Sequence, residues 1–159
     1  MKKVSIATTR IALAATLLLN LFISPGCEED DEVTEDHDYS MSGNASSSQE
    51  VPTNASAATG SLSGNYNDVT NILTYTVTWS GLSGTLNAAH FHGPALPGVN
   101  AGVVIGFTIT NNAATGNLTG TATLTEPQEV DMLAGKWYVN LHTAANPGGE
   151  IRGQVIATK

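Results

Sequence analysis

The clearest pattern in the chain is a strict alternation of apolar and polar residues over residues 72–80. Every second residue from Leu73 to Trp79 is apolar, and the residues between them are threonines. A period of two is typical of a half-buried antiparallel strand, because successive side chains point to opposite faces. A weaker alternation over 60–66 precedes it, and the Asn- and Asp-containing segment 67–71 provides a turn. These residues predict a β-hairpin.

Four later segments alternate in the same way and are separated by residues that favour turns. They are residues 102–110, 117–125, 136–143 and 149–157. In the first of them, Val103 and every second residue after it form the apolar side. Residues 111–116 contain two asparagines and a glycine, so the first two segments are expected to be joined by a turn. Strands at this spacing predict an all-β sandwich or barrel.

One short helix is predicted near residues 126–134. Thr125 and Gln128 have the spacing of a capping box, an early proline fits the first helical turn, and a glycine follows the helix. Val130 and Leu133 are the residues expected to face the core.

The first 27 residues have the pattern of an export signal. A basic start is followed by an apolar run over 11–23, which is too short to span a bilayer. Small residues directly before the lone Cys27 resemble a bacterial lipoprotein signal, although Ser24 stands where such signals usually carry leucine. Ordinary secretory cleavage, with Cys27 as a bystander, is the alternative. We expect export and lipidation of Cys27, which anchors the chain to the cell envelope at the outer membrane.

Negative charge is concentrated directly after Cys27. Eight of the 14 acidic residues lie between Glu28 and Asp38, and the formal net charge of the chain is -8. Like charges repel, so residues 28–40 are predicted to be an extended, disordered tether, and residues 41–159 to be the folded domain. Acidic residues after a lipidated cysteine also resemble a surface-export signal of bacterial lipoproteins. A chain without a basic stripe is not expected to bind nucleic acid.

Three of the four histidines fall in two strand-like segments. His90 and His92 are two residues apart, so they share one strand face, with Phe91 on the opposite face. His142 lies on the polar face of its own segment. If the two strands are neighbours, the three imidazoles converge, and three histidines on a rigid sheet suit copper or zinc with an open coordination position.

Two arrangements of these histidines have different consequences. A metal site requires the three ring nitrogens within about 4 Å of one another around a common point. In the alternative, each histidine donates a hydrogen bond to a backbone carbonyl and the rings point apart.

The single cysteine excludes an intramolecular disulfide framework and any multi-cysteine metal site.

Glu150 and Arg152 form a second charged group, two residues apart in the last predicted strand. The favoured interpretation is a structural ion pair that fixes this strand, and the alternative makes Glu150 a general base. No nucleophile stands beside a recognisable base motif, and no phosphate-binding loop is present in the sequence. The sequence therefore predicts no catalytic residues.

Several segments together resemble the CHRD (chordin-type) domain. The matching segments are residues 49–52, 73–77, 81–84, 88–95, 98–100 and 133–154. The last of them is the strongest match, and the resemblance extends over about 41–157. It implies an immunoglobulin-like β-sandwich or barrel with similarity to Cu/Zn superoxide dismutase. The strand with His90 and His92 is similar to the copper strand of that dismutase. Its bridging histidine and zinc-loop ligands have no counterpart here, so dismutase activity is not expected.

Two functions remain open at this point. The first is a lipid-anchored, non-enzymatic β-sandwich that displays a binding or structural surface to an unknown envelope or extracellular partner, with a rim formed by the loops around 92–94 and 146–148. The second is a mononuclear copper or zinc protein that uses His90, His92 and His142, either as a metal carrier or as a redox enzyme.

Overall fold

The computed structural model describes residues 36–159, so the predictions for the signal segment, Cys27 and most of the acidic tether lie outside the described residues. Among residues 36–159, no helix has the length and apolar character needed to cross a membrane. The strands are β1 (Asp38–Ser46), β2 (Thr59–Asn67), β3 (Ile72–Ser80), β4 (Leu86–His92), β5 (Val103–Gly106), β6 (Gly116–Thr123), β7 (Tyr138–Thr143), β8 (Ile151–Gln154) and β9 (Ile156–Thr158). The helices are a 3-10 turn (Ser47–Gln49) and α1 (Glu126–Leu133).

The described strands form one antiparallel sheet in the order β5-β4-β7-β8-β1-β2-β3-β6. β8 pairs with β1 at Ser46, and β9 pairs with residues 40–42 of β1. The apolar faces of the two halves of this sheet meet in one core. Tyr75 of β3 packs against Phe91 of β4 and against Phe107, with ring centroids 5.1 and 4.8 Å apart. The all-β sandwich or barrel that the alternation predicted is confirmed.

The predicted hairpin of β2 and β3 is confirmed, and β3 spans the predicted residues. The expected pairing of 102–110 with 117–125 is wrong. β5 pairs with β4 and β6 pairs with β3, at opposite ends of the sheet order. β5 is also short, and Val103 is exposed, whereas Val104 and Ile105 pack on the core.

One predicted strand is divided in the structure, and one observed strand was not predicted. The segment 149–157 is divided at Val155, which is buried between β8 and β9. β1 was not predicted, and it begins at Asp38, inside the segment expected to be a disordered tether. It is paired along its whole length with β2, so the folded domain includes residues before Met41.

Helix α1 confirms the predicted position and its N-terminal cap. The side chain of Gln128 accepts a hydrogen bond from the backbone N–H of Thr125 at 2.9 Å. The orientation predicted for Val130 is wrong: this residue is exposed, and Met132 is the fully buried residue of the helix.

Strands β4, β7 and β8 position the candidate site. On one face they contribute Phe91, Val139 and Ile151 to the core. Their other face carries polar side chains, and three loops (49–54, 93–102 and 145–149) contact it through hydrogen bonds. Several of these polar side chains are therefore buried although they point away from the core.

Candidate metal centre

The polar side chains of β4, β7 and β8 stand in register across the sheet. His90 lies opposite Asn140, which in turn lies opposite Arg152. In the next row, His92 lies opposite Tyr138. Antiparallel pairing brings opposite side chains on one face close together, so these residues form one polar cluster.

Three histidines converge within this cluster. The Nδ1 atom of His90 lies 3.3 Å from Nε2 of His142. The ring centroid of His92 lies 5.4 Å from that of His90 and 5.9 Å from that of His142. One nitrogen of each ring lies within 4.8 Å of one nitrogen of both others. The pairing of β4 with β7 therefore brings together the residues that the spacing had singled out.

Backbone carbonyls fix the tautomers of two of these rings. Nδ1 of His92 lies 3.0 Å from the carbonyl oxygen of Ala101, and Nδ1 of His142 lies 3.1 Å from that of Pro147. A carbonyl oxygen only accepts hydrogen bonds, so both Nδ1 atoms carry the proton and both Nε2 atoms keep a lone pair. The Nε2 atom of His92 is buried and has no hydrogen-bond partner in the part of the chain that the structure describes. Carbonyl partners of this kind orient metal-binding histidines in known sites.

The surroundings keep the three imidazoles neutral at neutral pH. Burial lowers the pKa of His90, His92 and His142 below the ordinary value of 6.5. The neighbouring histidines lower the pKa of His90 further, and the Arg152 guanidinium lowers that of His92. A metal ion binds the neutral form of imidazole, so protons do not compete for these nitrogens at pH 7.

The spacing of the nitrogens fits one metal ion after a small movement of the rings. Nitrogens bonded at 2.0–2.1 Å to one ion at tetrahedral angles lie about 3.4 Å apart. The pair of His90 and His142 has this separation, whereas the widest separation of 4.8 Å exceeds the 4 Å expected from the sequence. The rings do not point apart, although His92 and His142 do hydrogen-bond to carbonyls. The metal site therefore stays a prediction with a favourable geometry.

The His92 ring, the Tyr138 ring and the Arg152 guanidinium are stacked on one another in this order. The Tyr138 ring is parallel to the His92 ring within 7°, with centroids 5.0 Å apart. The Arg152 guanidinium carbon lies 3.4 Å from the Tyr138 ring centroid. The guanidinium donates to the Val99 carbonyl at 2.8 Å and to the side chain of Asn100 at 3.3 Å. A buried positive charge is thus held next to one of the three histidines.

The predicted ion pair of Glu150 and Arg152 is wrong. The ion pairs among residues 36–159 join His37 and Lys159 to Asp68, and Lys136 to Asp131. Glu150 instead accepts hydrogen bonds from side chains and backbone of distant segments. They come from the hydroxyls of Ser56, Ser83 and Thr143 and from the backbone N–H of Ser83. The local sequence does not indicate these partners, because Ser56 and Ser83 lie 94 and 67 residues away from Glu150 along the chain.

The surroundings of Glu150 also argue against a role as a general base. Burial by itself raises the pKa of this carboxyl, but the hydrogen bonds from Ser83, Thr143 and Ser56 outweigh burial and hold the pKa at about 2. The side chain is fully buried. A carboxylate of such low pKa is a poor proton acceptor near neutral pH.

Glu50 is the residue of this cluster that the sequence interpretation missed. It is 5 % exposed, and burial raises its pKa to about 7 against the opposing effects of Arg152 and Asn140. Among residues 36–159, its one side-chain hydrogen bond, from Asn140, is long at 3.5 Å, and its Oε1 atom has no partner. The available signal was an isolated acid inside the segment 49–52, one of the segments that carried the family resemblance.

The model of the CHRD domain family matches residues 41–155. No curated protein and no solved structure matches the chain. The matched region is 115 of 159 residues (41 to 155 inclusive), and it contains the three clustered histidines, Arg152 and both buried glutamates. The match covers well over half of the chain and agrees with the all-β fold, so the chain belongs to the CHRD domain family.

Proposed function

We propose that this CHRD domain binds one copper or zinc ion through His90, His92 and His142, and that Cys27 carries a lipid that holds the domain at the bacterial cell envelope. The observation that carries the metal proposal is the convergence of three neutral imidazoles, with ligand nitrogens within 4.8 Å of one another. Three protein ligands leave a coordination position for water or a small ligand.

Two further observations support a metal at this position. The buried Nε2 atom of His92 has no hydrogen-bond partner among the described residues, which is unfavourable for a polar atom and is relieved by a metal ion. Nε2 of His142 keeps a lone pair directed toward His90, because its Nδ1 donates to Pro147. His90 and His142 are only half-buried, so an ion has access from solvent.

The proposal for the envelope rests on the sequence alone. The apolar run before Cys27, the small residues that precede it and the acidic segment that follows it have the order found in bacterial lipoproteins. In this arrangement the acidic segment separates the folded domain from the membrane. The outer membrane and its outer surface are the proposed location.

A non-enzymatic binding or structural module is the second candidate function. The observation that favours it is that His92 and His142 each hold a loop, through the carbonyls of Ala101 and Pro147. In this case the histidines stabilise a rim of loops that contacts an envelope or extracellular partner. Metal binding is then absent, and replacement of either histidine affects the free energy of unfolding alone.

A metal-retention experiment separates the two candidates. The full chain with Cys27→Ser is exposed to copper or zinc, dialysed, and its bound metal quantified. We expect about one equivalent, and loss of that equivalent in a His90→Ala/His92→Ala/His142→Ala variant.

His37→Ala is the matched control, because His37 is exposed and bonds to Asp68, outside the cluster. Retention of metal by the triple variant would assign the binding to the acidic segment. Absence of retained metal in the parent chain would leave the non-enzymatic module as the function.

A further inference from the structure

We infer that the three-histidine site prefers a monovalent ion, Cu(I), to divalent zinc, because a buried guanidinium stands behind one ligand and the ligands themselves are uncharged. This inference rests on the proposed metal site and adds the identity of its ion. A positive charge near the site disfavours a divalent ion more strongly than a monovalent ion.

A positive charge lies close to one of the three ligands. The Arg152 guanidinium carbon is 3.4 Å from the Tyr138 ring centroid, which is 5.0 Å from the ring centroid of His92. The guanidinium therefore lies at most 8.4 Å (3.4 plus 5.0) from the centre of a ligand ring. Arg152 is 1 % exposed, so water screens its charge weakly. Arginine keeps its proton at all accessible pH values.

The charge of the Arg152 guanidinium is only weakly compensated. Among the described residues, Arg152 forms no ion pair, and its two hydrogen bonds go to neutral oxygens of Val99 and Asn100. Glu50 is the acid that interacts with it electrostatically. Burial raises the pKa of Glu50 to about 7, so its carboxylate compensates the guanidinium only in part near neutral pH.

The ligands themselves carry no negative charge. All three are histidines, and imidazole binds a metal ion in its neutral form. A doubly charged ion is repelled by the guanidinium twice as strongly as a singly charged one. One unit of charge at about 10 Å, with an effective dielectric constant of about 20, changes an affinity roughly tenfold. Imidazole nitrogen is a suitable ligand for copper in general.

The test compares two ions and a set of variants in the full chain with Cys27→Ser, which removes the competing thiol. Affinities for Cu(I), kept reduced with ascorbate, and for Zn(II) are measured against chromophoric chelators at pH 7.5. We expect tighter binding of Cu(I) in the parent chain. We also expect that Arg152→Met lowers the ratio of Cu(I) to Zn(II) affinity roughly tenfold. Arg152→Lys, which keeps the charge, should retain most of the preference.

Control variants make the result specific. Lys136→Met removes a positive charge that is paired with Asp131, and its affinity ratio should equal that of the parent chain. Glu50→Gln removes this partial compensation and should raise the ratio roughly two- to threefold at pH 7.5. This variant tests the inference even where Arg152→Met fails to fold.

The outcomes separate the two proposals. Equal or tighter Zn(II) binding in the parent chain would overturn the preference for Cu(I) and leave the metal site intact. The same holds for unchanged ratios in folded Arg152→Met and in Glu50→Gln. If the parent chain binds neither Cu(I) nor Zn(II), the proposed function is wrong. The same conclusion follows if the triple histidine variant binds these ions as tightly as the parent chain does.

Discussion

Glu50 and Glu150 are both buried, yet their surroundings shift their pKa values in opposite directions. Glu150 accepts four hydrogen bonds of 2.6–2.7 Å, and these outweigh burial and hold its pKa at about 2. Glu50 has one long hydrogen bond, and burial raises its pKa to about 7. Both side chains lie under the loops that contact the polar face, but only Glu150 is surrounded by hydroxyl donors.

The two glutamates therefore contribute to stability with opposite dependence on pH. The folded state binds a proton at Glu50 more tightly than the unfolded chain, so its ionisation destabilises the fold as the pH rises from about 4.5 to about 7. The folded state binds a proton at Glu150 less tightly, so its charge stabilises the fold above about 4.5, and this contribution is lost as the pH falls toward 2.

We predict opposite effects of Glu50→Gln and Glu150→Gln on the free energy of unfolding. At pH 8, Glu50→Gln should stabilise and Glu150→Gln should destabilise, each by up to about 3 kcal/mol, since one pKa unit corresponds to about 1.4 kcal/mol. At pH 4.5 the effect of Glu50→Gln should be nearly absent. Denaturant unfolding at several pH values measures both effects. Glu50→Gln that destabilises at pH 8 would mean that the ionised carboxylate has a favourable partner.

The histidine cluster was predictable residue by residue, whereas the environment of the acids was not. The spacing of His90 and His92 determines that they share a strand face, whatever the rest of the fold does. The partners of Glu150 come from positions 56 and 83, about 94 and 67 residues away along the chain. Such partners depend on the tertiary arrangement of loops, which no local pattern encodes.

At the scale of elements, β1 shows why a central strand can lack a clear sequence signal. A Cβ atom on Gly43 would lie 2.7 Å from the backbone oxygen of Gln154, so a close backbone contact requires glycine at an inward position. The strand also starts within the acidic segment. Its alternation is therefore weak, in contrast to β3, whose inward positions are large and apolar.

We predict that a chain beginning at Met41 is less stable than one beginning at residue 36. The shorter chain loses the pairing of Asp38 and Ser40 with β2, and it loses the contact of Tyr39 with Tyr66, whose ring centroids are 6.3 Å apart. Cross-strand pairs contribute roughly 0.2–1 kcal/mol each, so the expected loss is about 2 kcal/mol. Denaturant midpoints of the two chains measure it. Equal midpoints would show that the first three residues of β1 add nothing to stability.

At the scale of the whole molecule, fold class was predictable and strand order was not. Regular alternation between turns predicts an all-β protein, because half-buried strands need a second apolar layer. The expected neighbours 102–110 and 117–125 instead form the two edges of the sheet order. The sheet curls around one core. The segments 102–110 and 117–125 are close in sequence, yet they contribute its two edge strands, and residues 107–115 connect those strands. Hydrogen bonds from Leu82 and Leu86 hold that connection.

The proposed lipid anchor is a property of the whole molecule, because it sets where the folded domain works. We predict that the parent chain, expressed in a bacterial host, sediments with membranes and is released by detergent. Cys27→Ala should give an unprocessed or soluble chain, since the lipid is attached to the Cys27 sulfur. Membrane fractionation and the mass of the mature N-terminus measure both. His37→Ala is the control, because it alters the segment after the cysteine without removing the lipid acceptor. If the Cys27→Ala chain is processed and still sediments with membranes, Cys27 is not the anchor, and another part of the chain holds the domain at the membrane.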